Sequence, residues 1–389
     1  MAEETKTEAK NKISWYDKYY KILLFIPIVI LIIALAYLAF FFSQHHDLIL
    51  KDVSLSGGTT ITLEGKAIEN LEALEAALKQ KFSDINFRKL TDLNSGKLIA
   101  VIIESPASPE ELKKGIEDYL GFKLTGENSS IEFTGPTLSS SFYLELLKIL
   151  FLAFILMGLV VFLIFGESKR TKAIAISLSL MAVKLTFPTR TFLGALTILL
   201  GISALIYSFV KSKGKKQYIY SVLSSLIFIV SLIFPVYYLL FPIVLILLVM
   251  YFIESVPSIA VIFAAFSDVI FALAIIDFFG IKLSSAGIAA FLMLIGYSVD
   301  TDILLTTRAL RKKEGSLNER IYGAFKTGIL MTITALVAVL PVFFLVTGLP
   351  ESFRQIFLIL ALGLFADIAN TWLTNAGIIK WYCIRKKIE

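Results

Sequence analysis

Long apolar runs alternate with short basic loops over most of this chain, and this pattern predicts a multi-pass membrane protein. A run of about 20 apolar residues crosses a bilayer as a helix. Ten runs are candidate spans: 21–43, 143–165, 173–187, 192–210, 218–235, 237–253, 257–279, 284–306, 326–347 and 354–379. The first is too long for the apolar core of a signal peptide and lacks a clear small-residue cleavage site, so we expect it to be retained.

The length of the apolar run does not by itself determine the number of spans in two regions. As one helix, the run 218–254 would be about 55 Å long at 1.5 Å per residue, whereas the hydrocarbon core is about 30 Å thick. Pro235 and Pro242 lie near its middle, and each removes a helix hydrogen bond, so we expect a hairpin of two short spans. The run 173–187 contains two serines and a lysine. An interfacial helix is the alternative there.

Residues 44–140 carry mixed charge and a shorter hydrophobic period, which predicts a small α+β domain. The pattern predicts a strand from Val53 with a kink at Gly57–Gly58, a helix over 68–82, strands over 85–90 and 97–105 around the turn Asn94-Ser95-Gly96, a helix beginning at Ser108-Pro109, and a strand over 129–135. The resulting order β-α-β-β-α-β is ferredoxin-like.

Basic residues indicate the orientation, because cytoplasmic loops carry an excess of Lys and Arg. With ten spans, five basic clusters fall on one side of the membrane. We therefore expect a cytoplasmic tail over 1–20, an extracytoplasmic domain over 44–140, a cytoplasmic loop over 307–325 and a cytoplasmic tail over 380–389. The clusters are Lys6/Lys10/Lys12/Lys18/Lys21, Lys169/Arg170/Lys172, Lys211/Lys213/Lys215/Lys216, Arg308/Arg311/Lys312/Lys313/Arg320 and Arg385/Lys386/Lys387.

Composition narrows the function. The 389 residues are 57% hydrophobic with a mean hydropathy of +0.80, so little chain remains for a soluble catalytic domain. The net charge of +6 comes largely from the loops, and we expect no nucleic-acid partner. Cys383 is the single cysteine and His45 and His46 are the only histidines, which disfavours a disulfide or a Cys/His metal site. With no phosphate-binding loop and no Ser/His/Asp arrangement, we expect neither an enzyme nor a cofactor.

Acidic residues inside the predicted spans are the candidate functional groups. A charge near the bilayer centre costs about 2.5–3.5 kcal/mol on insertion scales, and such residues commonly move protons or ions. The set is Asp268, Asp300, Asp302 and Asp367, with Asp277 nearer the outer end as an interfacial residue, and with Arg308 at the inner end of its helix. Helix capping or hydrogen bonding between helices is the alternative role for each acid.

Helix geometry separates the two acids of the seventh predicted span. Asp300 and Arg308 share one helix face over about two turns. Asp302 points about 160° away from Asp300 at 3.6 residues per turn. We therefore expect Asp300 to meet Asp367 or Asp268 on a neighbouring helix, and Asp302 to face elsewhere or a water path.

Three of these runs resemble a known family. The stretches 256–276, 280–311 and 363–381 closely resemble the archaeal form of SecF, in the SecD/SecF family of protein-export membrane proteins, and Leu55-Ser56-Gly57-Gly58-Thr59 is similar to its Gly-Gly signature. The resemblance covers about 1–166 and 255–389. It implies an RND-like core of six helices and a subunit that assists protein export. It also implies a SecD-like membrane partner, the Sec translocon channel and exported polypeptide substrates.

The resemblance also assigns roles. Val299-Asp300-Thr301-Asp302 is similar to the fourth-span motif of the family, which implies proton relay at Asp300 and, at the end of the motif, Arg308. Asp367 is similar to a sixth-span acid, while Asp302 and Asp268 remain further candidates for proton transport. The family joins its second and third spans by a short loop, so 167–254 is an insertion of about four helices in two hairpins.

Three functions remain open from the sequence. The first is a proton-driven export subunit of the cell membrane, acting with a SecD-like partner. The second is a small RND-like exporter of lipid or hydrophobic solute that works as a homodimer. The third is a scaffold that stabilises other membrane proteins without transport.

Overall fold

A computed structural model describes residues 2–64, 71–82, 84–91, 97–126, 128–186, 192–210, 215–233, 240–310, 315–345 and 351–388. Most of them are helical. Among the described residues, six helices are long and apolar enough to cross a membrane: Lys18–His45, Leu138–Phe165, Val256–Phe278, Ser285–Leu310, Leu317–Phe344 and Phe353–Lys386. They coincide with the six-helix core predicted from the sequence, and the prediction of a multi-pass membrane protein is confirmed.

The helices that build this core are long. They are α1 (Ala2–His45), α5 (Pro136–Phe165), α10 (Val256–Phe278), α11 (Ser285–Leu310), α12 (Leu317–Leu345) and the last span, which consists of α13 (Glu351–Ala369), a π-helix (Asn370–Asn375) and α14 (Ala376–Lys386). At the centre, α11 contacts α5, α10, α12 and α13. Leu294 of α11 fills the space where Gly363 of α13 has no side chain, so these two helices pack closely.

Four helices occupy the predicted insertion: α6 (Lys169–Thr186), α7 (Phe192–Val210), α8 (Lys215–Ile233) and α9 (Leu240–Glu254). The break predicted in 218–254 falls between α8 and α9, where 234–239, including Pro235, lie outside the described residues. Pro242 lies in the first turn of α9, where proline is tolerated. The described apolar parts of α7, α8 and α9 are shorter than the six spans. Ten spans therefore remain a prediction.

Within this insertion, α6 occupies the interior position. It contacts α5, α7, α8 and α9, and Ile174, Leu178 and Ala182 are fully buried in their shared apolar cluster. A helix covered by four others has the packing of an interior helix, not that of a helix lying on a surface. Ser177 and Ser179, the two serines of this helix, are also buried.

The α+β domain has the predicted order. Four antiparallel strands, β1 (Gly58–Glu64), β2 (Asn86–Thr91), β3 (Leu98–Ser105) and β4 (Ser129–Thr134), form a sheet in the order β2-β3-β1-β4, with helices α3 (Leu71–Lys81) and α4 (Pro109–Leu120) between them in sequence. This confirms the ferredoxin-like arrangement. One side of the sheet packs on the helices through an apolar cluster that includes Ile61, Leu74, Ile103 and Ile116.

Local chemistry explains where the elements of this domain begin. Ser108 caps α4 in a capping box with Glu111, as the sequence predicts. The strand expected from Val53 begins only at Gly58, and its first part is wrong, because Val53–Ser56 forms one helical turn, α2. Its N-cap is Asp52, whose carboxylate accepts hydrogen bonds from the amide and hydroxyl of Ser54; such caps favour a helix start. The turn Asn94-Ser95-Gly96 lies outside the described residues.

The α+β domain is fastened to the loop between α10 and α11. The Leu283 amide donates to the Leu50 carbonyl at 2.6 Å, and the Asp52 amide donates to the Leu283 carbonyl at 3.0 Å. An ion pair between Lys282 and Asp84, at 2.6 Å, adds a contact to the domain itself. The domain is therefore connected directly to α10 and α11, the two helices that carry four of the five acids expected within the membrane spans.

Candidate functional site

Three carboxylates meet inside the helical core. Asp268 on α10, Asp302 on α11 and Asp367 on α13 are each 0% exposed. Two of the three hold every oxygen in a hydrogen bond. Asp268 accepts from Ser298 at 2.5 Å and from the side-chain amide of Asn370 at 2.6 Å. A buried carboxylate needs such donors, because desolvation of an unpaired charge is costly.

Hydroxyl groups surround Asp367. One of its oxygens, Oδ1, accepts from Thr301 at 3.0 Å and from Thr371 at 2.8 Å. The other, Oδ2, lies 3.2 Å from the same Thr301 hydroxyl and 3.3 Å from that of Thr332. Threonines from α11, α12 and the π-helix therefore converge on one acid, so the position of Asp367 depends on three helical segments.

The hydroxyl of Thr371 joins two of the acids. It lies 2.8 Å from Asp302 Oδ1 and 2.8 Å from Asp367 Oδ1. A threonine hydroxyl has one proton to donate and two lone pairs to accept with. If both acids are ionised, one of these contacts contains no proton. If either acid carries a proton, it donates to the Thr371 oxygen and Thr371 donates to the other acid. The geometry is fully satisfied only with one shared proton in addition to that of the hydroxyl.

The π-helix supplies the donors of this site. Asn370, Thr371 and Asn375 all belong to Asn370–Asn375, and each donates to a buried carboxylate; the Asn375 amide reaches Asp302 Oδ1 at 2.7 Å. π-helical turns are rare and occur often at functional sites. Here the π-helix places three donors, Asn370, Thr371 and Asn375, against acids on three different helices.

The predicted arrangement of the two acids on α11 is wrong. Asp300 is exposed, whereas Asp302 is fully buried and shares Thr371 with Asp367. The two side chains point in nearly opposite directions, as expected, but Asp302 points into the core and Asp300 points outward. The buried positions of α11 recur at helical spacing through Leu294, Ser298 and Asp302, and Asp300 falls between them on the outward side.

Asp300 lines an open cleft between α11 and α12 instead. The cleft has a volume of about 800 Å³, and Tyr297 and Lys326 also line it. Thr301 and Thr332, which donate to Asp367, form part of its wall. The cleft therefore connects the exposed acid with the hydrogen-bond donors of the buried acids.

Arg308 shares the outward face with Asp300, as predicted. Its guanidinium donates to the Gly323 carbonyl at 2.9 Å and to the Thr327 hydroxyl at 3.1 Å. These contacts fasten α11 to α12 beside the cleft. Asp277 lies at the end of α10, as expected, and its side chain is buried at 3% exposure, with Asp47 and Tyr143 among the charged and polar groups near it.

The donors of the site were missed by sequence reasoning. Ser298, Thr301, Asn370, Thr371 and Asn375 were not singled out, although each touches a buried acid. A signal was present: polar residues recur every four positions at Ser298, Asp302 and Thr306 on one helix, and at Asp367, Thr371 and Asn375 on another. Such a polar stripe inside an apolar span marks the face that turns towards other helices.

The side chains that converge here are oxygen and amide groups. Among the described residues, no group of three or more His, Cys, Asp or Glu side chains is placed to hold a metal ion together. The carboxylates and hydroxyls that are in contact here can hold and exchange protons.

Comparison with known proteins matches the part of the chain that carries this site. Residues 207–385 match the family model described as protein export membrane protein SecD/SecF, C-terminal. The match begins in α7, so it includes 207–254 of the region predicted as an insertion. The same model therefore covers all three buried acids and the π-helix.

Archaeal relatives agree. The chain is 53% identical to the protein-export membrane protein SecF of Methanothermobacter thermautotrophicus over 133 residues, which are 33% of this chain and 46% of the relative. It is 46% identical to SecF of Pyrococcus furiosus over 138 residues, which are 36% of this chain and 46% of that relative. The chain spans less than half the length of the relatives it matches.

Two solved structures of SecDF also match, at 15% and 14% identity. The Thermus thermophilus structure, of a translocon-associated membrane protein, has a TM-score of 0.49 and covers 94% of this chain and 38% of its own. A SecDF structure in the super-membrane-facing form has a TM-score of 0.45 and covers 95% and 39%. The family match over 207–385 and the archaeal relatives confirm the resemblance to archaeal SecF.

Proposed function

We propose that this chain is a SecF-like subunit of the Sec protein-export machinery that assists translocation of exported polypeptides across the cell membrane. In this proposal it acts with a SecD-like membrane subunit beside the Sec translocon channel. It is not an enzyme, and both of its termini face the cytoplasm. The family match over 207–385 and the five basic clusters on one side of the predicted spans support this assignment.

Proton flux through the buried acids is the proposed source of work. The observation that carries this step is the Thr371 hydroxyl, which lies between Asp302 and Asp367 at 2.8 Å from each. A proton on one acid passes to the other by exchange through this hydroxyl, without either carboxylate leaving its place. Because the donors come from α11, α12 and the π-helix, a change in the proton's location alters contacts between helices.

The cleft is the proposed route to this pair. Asp300 lies on its open side, and Thr301 on its wall donates to Asp367. The path then runs from Asp300 past Thr301 to Asp367, through Thr371 and on to Asp302. Arg308, which is hydrogen-bonded to α12 at the same cleft, holds the wall of the cleft in position. Asp268 is connected to this region because it accepts hydrogen bonds from Asn370 of the π-helix and Ser298 of α11.

The same cleft supports a membrane partner. Asp300 and Lys326 are exposed on the side of helices that cross the membrane, and charges facing lipid are costly. A second chain that packs against α11 and α12 would remove both groups from lipid. Affinity capture of the tagged chain from its native membrane tests this: a second six-span polypeptide supports the proposal, and self-association alone favours the homodimeric exporter.

Export with Thr371 variants tests the coupling. We expect Thr371→Val, which keeps the side-chain shape, to lower the rate of reporter export roughly tenfold or more, because buried carboxylate oxygens lose their donor. Thr371→Ser keeps the hydroxyl and should restore most of the rate. Amounts of folded protein are compared for both. Normal export with Thr371→Val would exclude the hydroxyl from coupling.

A further inference from the structure

An apolar groove lies between α5, α9 and α10, apart from the buried acids. Its volume is about 350 Å³. Apart from Gly158 and Tyr251, every described residue that lines it is Phe, Ile, Leu or Val. The hydroxyl of Tyr251 is buried inside the protein, so the side chains of the groove present a hydrocarbon surface to any molecule that enters.

The floor of the groove exists because α5 has a glycine there. A Cβ added to Gly158 would lie 3.3 Å from Cδ1 of Ile262, on α10, and 3.4 Å from Cε2 of Tyr251, on α9. Tyr251 is only 3% exposed, and its ring packs on that of Phe162 with centroids 4.6 Å apart. Packed side chains therefore fix the floor, and a side chain at Gly158 would fill the space above it.

The rim of the groove faces the surroundings of the helices. Phe151 of α5, Leu248 of α9 and Phe266 of α10 line it and are 42%, 40% and 39% exposed. Phe151 and Phe266 lie near the middle of two helices that are long and apolar enough to cross a membrane. In a bilayer, the groove therefore opens towards the hydrocarbon core and not towards water.

Size and chemistry restrict what can fill this space. Cavities with apolar walls do not hold water, because water needs polar partners. One turn of a helix from another protein, about 10 Å wide and 5.4 Å long, occupies about 400 Å³, which is more than the whole groove. A single hydrocarbon chain is narrow and flexible enough to enter. The volume lies in the range of about 300–1,000 Å³ that is typical of small-ligand pockets with mostly apolar walls.

We propose that this groove is a binding site for one hydrocarbon chain of a bilayer lipid. The chain lies over Gly158, beside the wall formed by Phe154 and Phe266, whose rings meet edge to face at 6.2 Å. Because α9 belongs to the region predicted as an insertion, the bound chain becomes part of the contact between that region and the six-helix core. This inference goes beyond the proposed function, since lipid binding needs neither export nor proton flux.

Photo-crosslinking of the full chain in vesicles tests the site. The vesicles consist of phosphatidylethanolamine and phosphatidylglycerol, with a small share of phosphatidylglycerol that carries a diazirine near the end of one chain. Peptides containing Phe151 and Leu248 should be labelled several-fold more than the peptide containing Val337, although Val337 of α12 is 65% exposed. Labelling that simply follows exposure would mean that bulk lipid alone contacts the groove, and would overturn the proposal.

Matched leucine variants assign the label to the groove. Gly158→Leu fills the floor and should remove the excess label. Gly296→Leu adds the same side chain to α11, where nothing lies near a new Cβ, and should keep it. If Gly158→Leu does not fold, Leu248→Trp at the rim narrows the entrance and should reduce the excess label instead. Undiminished labelling in a folded groove variant would contradict the site.

Native mass spectrometry distinguishes lipid from detergent. After transfer from the same vesicles into detergent, the wild-type chain and Gly296→Leu should retain a single lipid per chain, and Gly158→Leu should lose it. Retention of detergent alone by the wild-type chain would show that any alkyl chain enters and would overturn the assignment to lipid. Neither readout uses export activity, so failure of the proposed export function would leave both results unaffected.

Discussion

The side-chain amide of Asn370 donates to Asp268 at 2.6 Å, although 102 residues separate them in the chain. This bond joins the last membrane span to α10 at the depth of the buried acids. The other carboxylate oxygen of Asp268 accepts a hydrogen bond from the hydroxyl of Ser298, on α11, at 2.5 Å. One carboxylate therefore connects three spans, and its hydrogen bonds have a structural effect as well as a chemical one.

We expect Asn370→Ala to lower the free energy of unfolding by about 1–3 kcal/mol, because it leaves a buried acceptor on Asp268 with one donor fewer. The measurement is denaturation of the purified chain followed by circular dichroism. A double-mutant cycle with Asp268→Asn provides the control. Once the carboxylate is an amide, removing Asn370 should cost clearly less, so the two changes should not be additive.

Strict additivity in that cycle would contradict the contact. It would mean that Asn370 stabilises the protein through packing alone. A cost of less than about 0.5 kcal/mol for Asn370→Ala, which is typical of substitutions away from buried features, would show that the donor is not needed.

The architecture was predictable because it depends on patterns of many residues. Apolar runs of the right length predict the six spans, and alternation with turn signals predicts the order of β1 to β4. A single error such as the strand expected at Val53 does not change that result. There, the side chain of Asp52 accepts a hydrogen bond from the Ser54 amide, and this local bond stabilises a helical turn in place of a strand.

The site was only half predictable, because it depends on the direction of single side chains. The sequence singles out Asp268, Asp302 and Asp367 as costly residues, yet it cannot show which face of α11 meets the other helices unless the stripe through Ser298 is used. The π-helix at Asn370–Asn375 is not visible at all. Its register is stabilised by acids on other helices, which is a tertiary effect.

Gly328 of α12 makes room for Trp372 of the π-helix. A Cβ at this glycine would overlap atoms of the indole ring, the closest being Cζ2. We expect Gly328→Ala to destabilise the chain by about 1–3 kcal/mol, as overpacking does, and to change tryptophan fluorescence because the ring must move. Gly296→Ala is the matched control, since nothing lies near its added Cβ.

The control should be neutral or slightly stabilising, because alanine favours a helix over glycine by about 1 kcal/mol. Unfolding of both variants in the same detergent gives the comparison. Equal stability of Gly328→Ala and Gly296→Ala would show that Trp372 is not confined by α12.

Gly58 begins β1 with a backbone that other residues rarely adopt. Its φ is +142°, and a Cβ there would overlap the carbonyl oxygen of Ser105 on β3. We expect Gly58→Ala to destabilise the α+β domain by about 1–3 kcal/mol, measured as faster hydrogen exchange in the peptides of β1 and β3. Gly126→Ala, where no atom lies within reach of the new Cβ, should leave exchange unchanged; similar effects of the two variants would contradict this reason.

Two buried acids in the α+β domain predict how its stability depends on pH. Burial raises the pKa of Asp52, against hydrogen bonds from Ser54. Burial also raises the pKa of Glu104, against the charge of Arg88, which pairs with it at 2.9 Å. The folded domain therefore keeps protons that the unfolded chain releases near its usual carboxyl pKa of about 4.

Stability must then decrease as pH rises from that value through the raised pKa of the folded state, because the unfolded state binds fewer protons. We expect the protection of β1 amides, corrected for the intrinsic effect of pH on exchange, to fall over this range. Asp52→Asn retains an oxygen for the cap of α2 and should flatten the profile. Asp118→Asn, at an exposed position, should not; a profile that rises with pH would contradict the assignment.

The opposite orientations of Asp300 and Ser298 on α11 can be measured directly by thiol labelling. Asp300 is exposed in the cleft, whereas Ser298 is 0% exposed and faces Asp268. The chain's single cysteine, Cys383, is buried and contributes little background. Asp300→Cys in the purified chain should react with a charged thiol reagent roughly tenfold faster or more than Ser298→Cys, because labelling requires an accessible thiolate.

Membrane preparations extend the same measurement to the proposed partner. If a second chain covers the cleft, Asp300→Cys should be protected in native membranes and become reactive after the chain is purified alone, while Ser298→Cys should remain slow in both. Fast labelling of Ser298→Cys, with slow labelling of Asp300→Cys, would restore the arrangement first expected from the sequence. Equal labelling of Asp300→Cys in the two preparations would instead count against a partner on this face of α11.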